Sequence, residues 1–466
     1  MSTRKDRTLA WFRDSRYGLF LASLVVGLGA ALGAVAFRWL VYGMTWLATG
    51  HAEFGQNGYV ASGHLPWLGL AFYAIIPIVG GLVYGPIVHR WASEARGHGV
   101  PEVMLAVAEN DGRIRPQVSV VKALASAVTI GTGGSVGREG PIVQIGAALA
   151  SGLGQLARMP SGRLRILVAC GAAGGISATF NAPITGVFFG AEIILREISA
   201  GSLFAIMLSS MVADAMARSI IGSAPFLAAF PQNAELHHSV NYLLIAVLAV
   251  TTGLIGQVFR WLLYATEDVC DRLWRGRPEW LRPAAGGVVL GLILLALPQL
   301  YGVGYPVMFK AIAGNYTVWF LLLLAAGKMI ATSVTIGIGG SGGVFAPSLF
   351  IGLMWGNAFG LIADHVFGPS AGSPALYAAV GMGGVFAAGT RAPLTSFVSV
   401  LEMTGDFALA LPVMLTTAVS ALISRSLAYG TIYTTKLLRR GHDVERIQDR
   451  HYRQLLGDRG DEPSAA

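Results

Sequence analysis

Apolar residues fill long stretches of this chain, and polar residues are confined to short interruptions between them. Runs such as Tyr17–Phe37, Trp67–Val88, Tyr242–Phe259, Ala284–Leu297 and Thr317–Gly337 have the character of membrane helices, which need roughly 20 residues to cross a hydrocarbon core. Residues 17–47 predict one long tilted helix and 67–88 its return. The link 48–66 is polar and free of Lys and Arg, and is expected on the outside. Beyond it the pattern changes to short, broken helices. Glu102–Val107 is too short to span, and Lys122–Ile130 breaks at Gly131–Gly137 before restarting at Pro141 and running to about Leu156. Leu164–Ile176 is again short, and Phe180-Asn181-Ala182-Pro183 restarts a helix that reaches Ile198. Ala346–Leu361, Ala375–Phe386, Pro393–Met403, Leu411–Ile423 and Thr431–Leu438 continue the habit to the end of the apolar region.

The breaks repeat. Thr129–Gly146 matches Thr335–Gly352, displaced by 206 positions, at Thr129, Ile130, Gly131, Gly133, Gly134, Ser135, Gly137, Pro141, Ile145 and Gly146. Lys122 and Val128 extend the match to Lys328 and Val334. At a displacement of 210, Gly171, Gly174, Ala178, Ala182, Pro183, Thr185 and Glu192 pair with Gly381, Gly384, Ala388, Ala392, Pro393, Thr395 and Glu402. Two halves, about 90–220 and 300–430, therefore make a repeated unit. Interrupted apolar segments at matching places in two halves point to the binding site of a transporter.

Composition agrees with a membrane protein. The 466 residues are 54% hydrophobic and 12% charged, with a mean hydropathy of +0.60; a soluble domain carries about 25% charged residues. The net charge of +8 invites a nucleic-acid reading, which its distribution excludes. Cations gather before the first span (Arg4, Lys5, Arg7, Arg13, Arg16), after the last (Lys436, Arg439, Arg440, Arg446, Arg450, Arg453), and in short loops between. Residues 39–89, 219–259 and 345–390 have none. This is the positive-inside pattern with both termini cytoplasmic. Residues 1–16 are expected to be a retained cytoplasmic segment, 17–438 the membrane domain, and 439–466 a cytoplasmic tail too short to be a regulatory module. Cys170 and Cys270 imply neither a disulfide framework nor metal spacing, and no cofactor is indicated.

A helix that starts inside the membrane leaves N–H groups without partners, and its end carries about +0.5 charge. Several such starts converging on one point make an anion site. Fractional charges suit permeation, because they bind an anion without trapping it. The bland alternative is that the glycines only let helices pack or kink. Glu139 is the charged residue that matters most: it sits at the restart Gly137-Arg138-Glu139-Gly140-Pro141, where its repeat partner is Phe345. A carboxylate there can occupy the anion site and vacate it on protonation. Otherwise it is a plain N-terminal charge worth about 0.3–1 kcal/mol to its helix.

Four motifs make the resemblance specific. Gly97–Pro101 (GHGVP), Gly137–Pro141 (GREGP), Gly343–Pro347 (GVFAP) and the late Ile432-Tyr433 resemble, in order, the anion-pathway motifs of the CLC chloride channel and transporter family. The resemblance implies an all-α integral membrane fold, an inverted repeat of many tilted and broken helices, in the cell membrane. It implies a homodimer with one chloride pathway per subunit, and Glu139 as the gating glutamate. It implies a central anion site at the N–H groups of Val344 and Phe345 and the Tyr433 hydroxyl. An outer site is implied around Arg138–Gly140 and Phe345–Ala346.

The chain departs from the family pattern twice. Where the family's common motif carries an anion-contacting serine, this chain has His98, which either contacts the ion or faces the inner vestibule without touching it. Where many exchangers carry an inner proton-relaying glutamate, the count from Asn181-Ala182-Pro183 reaches Ile193, with Glu192 just before it. Glu192's match to Glu402 suggests a shared structural role. Passive, Glu139-gated chloride permeation is therefore favoured, with chloride/proton antiport by a non-standard internal route as the alternative. A membrane enzyme or nucleotide-driven pump is the third reading. Gly337–Gly342 fits G-x-G-x-x-G but lies between apolar segments, and neither a Gly-Lys-Ser/Thr loop nor His-Glu-x-x-His occurs. No enzymatic activity is expected.

Overall fold

The computed structural model describes residues 13, 15–55, 58–227, 230 and 239–446. Most of the expected N-terminal segment and the end of the C-terminal tail lie outside them. Helix follows helix: α1 (Arg16–Thr49), α2 (Ala71–Trp91), α3 (Val100–Ala108), α4 (Gln117–Gly131), α5 (Glu139–Leu156), α6 (Ser161–Phe180) and α7 (Pro183–Leu195). Then come α8 (Ala200–Ile221), α9 (Ser239–Trp274), α10 (Arg282–Ala296), α11 (Tyr305–Ile312), α12 (Val318–Gly337) and α13 (Phe345–Phe367). α14 (Pro374–Thr390), α15 (Pro393–Thr404), α16 (Ala410–Leu427) and α17 (Thr434–Leu438) complete the described chain. Nine spans among the described residues are long and apolar enough to cross a membrane.

The longest helices are too long to stand upright in a bilayer. At 1.5 Å per residue the 34 residues of α1 extend about 51 Å against a hydrocarbon core of about 30 Å, so α1 tilts. Its lipid-facing stripe is Leu21, Val25, Leu28 and Leu32, at helical spacing. α9 runs well past the apolar stretch at 242–259, to Trp274. Its last turns carry Glu267, Asp268 and Asp271, which pair with Lys436, Arg439 and Arg282. The short helices begin at proline: Pro101, Pro183, Pro306, Pro374 and Pro393 occupy first-turn positions, where a missing N–H costs nothing.

The two halves are stitched by contacts that recur with the roles exchanged. Gly137 N–H donates to the Gly343 carbonyl at 2.7 Å, and Gly343 N–H donates back at 2.6 Å. Ser135 N–H donates to Thr335 Oγ1 at 3.2 Å, and Ser341 N–H to Thr129 Oγ1 at 3.3 Å. Lys122, fully buried, donates to the carbonyls of Ala95 and Gly97, while buried Lys328 donates to those of Gly302 and Val303. The Gly137–Gly343, Ser135–Thr335 and Ser341–Thr129 contacts join the halves at positions that correspond in the sequence repeat, as a two-fold axis between them requires. Within each half the buried lysine reaches the corresponding carbonyl of Gly97 or Gly302.

The repeated glutamates have the structural role their matching suggests. Glu192 accepts from the N–H groups of Leu394 (3.2 Å) and Thr395 (2.7 Å) and from Thr395 Oγ1 (2.6 Å). Glu402 does the same for Ile184 (2.9 Å), Thr185 N–H (2.6 Å) and Thr185 Oγ1 (2.7 Å). Each carboxylate satisfies the bare helix start of the opposite half, where both hydrogen bonding and the helix dipole favour it. Glu192 lies in a π-helical segment, Phe189–Leu195, so the 100° step of an α-helix does not describe its offset from Ile193.

Candidate anion pathway

Three of the four sequence motifs meet at one place. A Cβ on Gly140 would run into the His98 carbonyl and come within 2.9 Å of Gly343 Cα, so the loops before α3, α5 and α13 approach to backbone contact. Gly97 N–H donates to the Gly340 carbonyl at 3.1 Å, and Gly342 N–H to the Gly97 carbonyl at 3.3 Å. This is the closeness that the glycines permit.

Glu139 lies at this junction, 1% exposed. Its Oε1 accepts from the Tyr305 hydroxyl, and its Oε2 from the N–H of Ala346 at 3.4 Å. The carboxylate therefore sits on the N-terminus of α13, where an anion would bind. Gly137 makes room for it, since a Cβ there would collide with Oε2. Arg138 lies over the Tyr305 ring at 5.0 Å, and Tyr305 and Tyr42 line a cavity of about 590 Å³ with Arg38 and Asn181. Phe345, the repeat partner of Glu139, brings no charge; its ring packs on Phe386 (4.3 Å) and Phe180 (5.2 Å).

The N–H groups of Val344 and Phe345 have no acceptor among the described residues, as expected of a helix start. Two further buried groups are without partners. The Tyr433 hydroxyl makes no hydrogen bond, and neither ring nitrogen of His98 does, although both residues are 1% exposed. Their rings lie 6.3 Å apart. Tyr264 fixes the approach: its ring is 6.4 Å from His98, and its hydroxyl donates to the Ile432 carbonyl at 2.6 Å. Unsatisfied buried donors cost about 1–3 kcal/mol each, and their pairing here marks a place for a polar ligand. His98 is enclosed beside Tyr433 and does not face an open vestibule.

Tyr433 also lines a second cavity, of about 960 Å³. Met104, Ile193, Tyr433 and Thr434 line it, with Arg196, Arg425 and Glu445. Ile193 presents an aliphatic side chain to it, and Glu192 lines it while committed to α15.

Two residues escape a reading of the sequence. Tyr305 lies in Gly302–Pro306 (GVGYP), which repeats Gly97–Pro101 (GHGVP) at a displacement of 205, so the repeat carried its signal. Glu445 lies beyond the repeats, and nothing in the sequence marks it.

A family model described as "Voltage gated chloride channel" matches residues 80–425. The chain belongs to this family. Among curated relatives it is 31% identical over 428 residues to a "Putative chloride channel protein ClcB-like" of Ralstonia nicotianae, covering 91% of this chain and 97% of the relative. It is 34% identical over 363 residues to an "H(+)/Cl(-) exchange transporter ClcA" of Vibrio parahaemolyticus, covering 76% of each. Among solved structures, that of a slow cyanobacterial Cl⁻/H⁺ antiporter superposes with a TM-score of 0.79 at 25% identity, over 90% of this chain and 97% of that one. A CLC-type fluoride/proton antiporter shares the fold, with a TM-score of 0.74 at 24% identity over 93% and 98%. The inverted repeat, the multi-pass membrane architecture and membership in a chloride-transporting family thus stand together.

Proposed function

We propose that this protein carries chloride through one pathway per subunit of a homodimer in the cell membrane, with both termini cytoplasmic and Glu139 as the gate. The observation that carries the reading is the Glu139 carboxylate seated on the start of α13, held by the Tyr305 hydroxyl and the Ala346 N–H. An anion must displace it to pass. Arg138, Gly140, Phe345 and Ala346 would frame the outer site, and Val344, Phe345, Tyr433 and His98 the central one. The unpartnered groups of His98 and Tyr433 support His98 as an anion ligand. Passive permeation is favoured over proton coupling because Ile193 cannot carry a proton into the inner cavity.

Chloride/proton antiport is the second reading. It is favoured by the relatives named exchange transporters, which match this chain as well as those named channels. Vesicles containing the protein, held under a chloride gradient with external pH and chloride recorded together, separate the two. Proton movement against its gradient, abolished by Glu139→Gln, would rule out the passive reading; chloride flux without it would rule out the antiporter.

A further inference from the structure

The inner cavity holds charges that the proposed pathway does not use. Its lining carries three guanidinium groups, Arg196, Arg391 and Arg425, against two carboxylates, Glu192 and Glu445. Glu192 is engaged with α15. Arg391 is engaged with the carbonyls of Ser424, Ala428 and Tyr429 at 3.1, 2.5 and 2.6 Å. Arg196 and Glu445 are ion-paired at 2.5 Å with side chains 18% and 16% exposed. Exposed Arg425 has no ion-pair partner among the described residues. The other oxygen of Glu445 accepts from Thr434 Oγ1 at 2.9 Å, one residue from Tyr433. Glu445 reaches this position from a C-terminal segment fastened by Arg439–Asp268, Arg440–Glu102 and His442–Glu109.

We propose that Glu445 occupies an anion-binding position formed by the Arg196 guanidinium and the Thr434 hydroxyl, and that chloride takes this position when the Glu445 side chain swings away. The inference rests on chloride passage through Tyr433. A guanidinium with a hydroxyl is a donor set that a carboxylate and a halide can both fill. The same substitution is posed at the outer end, where a carboxylate sits on a hydroxyl and an N–H. Here both side chains touch solvent, so an incoming ion exchanges with Glu445 without crossing a dry barrier. The excess of guanidinium over carboxylate raises the local concentration of small anions. The position thereby loads ions beside the buried Tyr433 hydroxyl.

Crystals of the full chain grown in bromide test this by anomalous diffraction. Glu445→Ala is expected to show a bromide peak between Arg196 and Thr434 stronger than that of the unaltered protein at the same bromide concentration, and the further change Arg196→Gln is expected to remove it. In vesicles, Glu445→Ala should lower the chloride concentration for half-maximal flux several-fold, with maximal flux retained. Bromide at Tyr433 but none at Arg196 in Glu445→Ala, with unchanged chloride dependence, overturns the loading site and leaves the wider reading intact. Absence of chloride flux in the unaltered protein overturns both. Should Glu445→Ala yield no crystals, the unaltered protein soaked across a bromide series decides. A peak at Arg196 that grows as Glu445 loses density supports the site, and a Glu445 unmoved at saturating bromide overturns it.

Discussion

The Tyr305 hydroxyl and the Glu139 carboxylate belong to opposite halves of the chain and meet at the start of α13. A hydrogen bond to a charged group is worth about 1.5–3 kcal/mol, or about ten- to hundredfold in occupancy. Tyr305→Phe removes this tether and leaves the packing of the ring on Phe226, 4.5 Å away, in place. Chloride efflux from vesicles at neutral pH is expected to rise toward the rate of a chain lacking the gate. An efflux rate equal to that of the unaltered protein would show that Tyr305 does not hold the gate shut.

Glu139→Ala addresses the gate itself. In the proposed mechanism a charged Glu139 carboxylate competes with chloride for the helix start, and a protonated one does not. Efflux in the unaltered protein should therefore rise as pH falls. In Glu139→Ala it should be flat across the same range, and Glu139→Gln should behave alike. If pH dependence survives the alanine change in full, the sensing group lies elsewhere, with His98 the next to test.

The exchanged caps predict matched losses of stability. Glu192→Gln and Glu402→Gln each give up charge-assisted bonds to two N–H groups and a hydroxyl. Each should cost about 1–3 kcal/mol, seen as comparable drops in melting temperature in detergent. Neither should change the ratio of protons to chloride moved. A stoichiometry altered by Glu192→Gln alone would return this residue to the transport path.

His98→Ala tests whether the imidazole contacts the ion. With a donor to a charged ligand removed, chloride affinity measured by titration calorimetry should fall about tenfold, while Tyr433 stays in place. His98→Ser should restore much of the loss. Equal affinity in all three proteins would reduce His98 to a packing residue.

Much of this architecture was legible because membrane helices announce themselves by length and because glycine and proline recur where backbone must turn or come close. The repeat placed Glu139 opposite Phe345 and paired Glu192 with Glu402 before any contact was known. Other features were not legible for physical reasons. α9 outruns its apolar stretch because its last turns leave the hydrocarbon and end in carboxylates that pair with Lys436, Arg439 and Arg282. The π segment of α7 changes the facing of Ile193 without any change in composition. Tyr305 shares only glycine and proline spacing with its repeat, so its hydroxyl gains meaning only once the halves are docked. Glu445 is one acid in a charged tail, and only its position beside Arg196 and Thr434 distinguishes it.

The crossed glutamate caps also bear on how the chain is made. Glu402 follows Thr185, at the helix start it satisfies, by 217 residues, which at ~5–20 residues per second take roughly 10–40 s to synthesise. Until then the N–H groups of Ile184 and Thr185 lack the acceptor that the finished protein gives them. The first half is thus an incomplete intermediate during translation, waiting for its second half to finish it. A gene split between the halves would yield function only if both pieces were produced together in the same membrane.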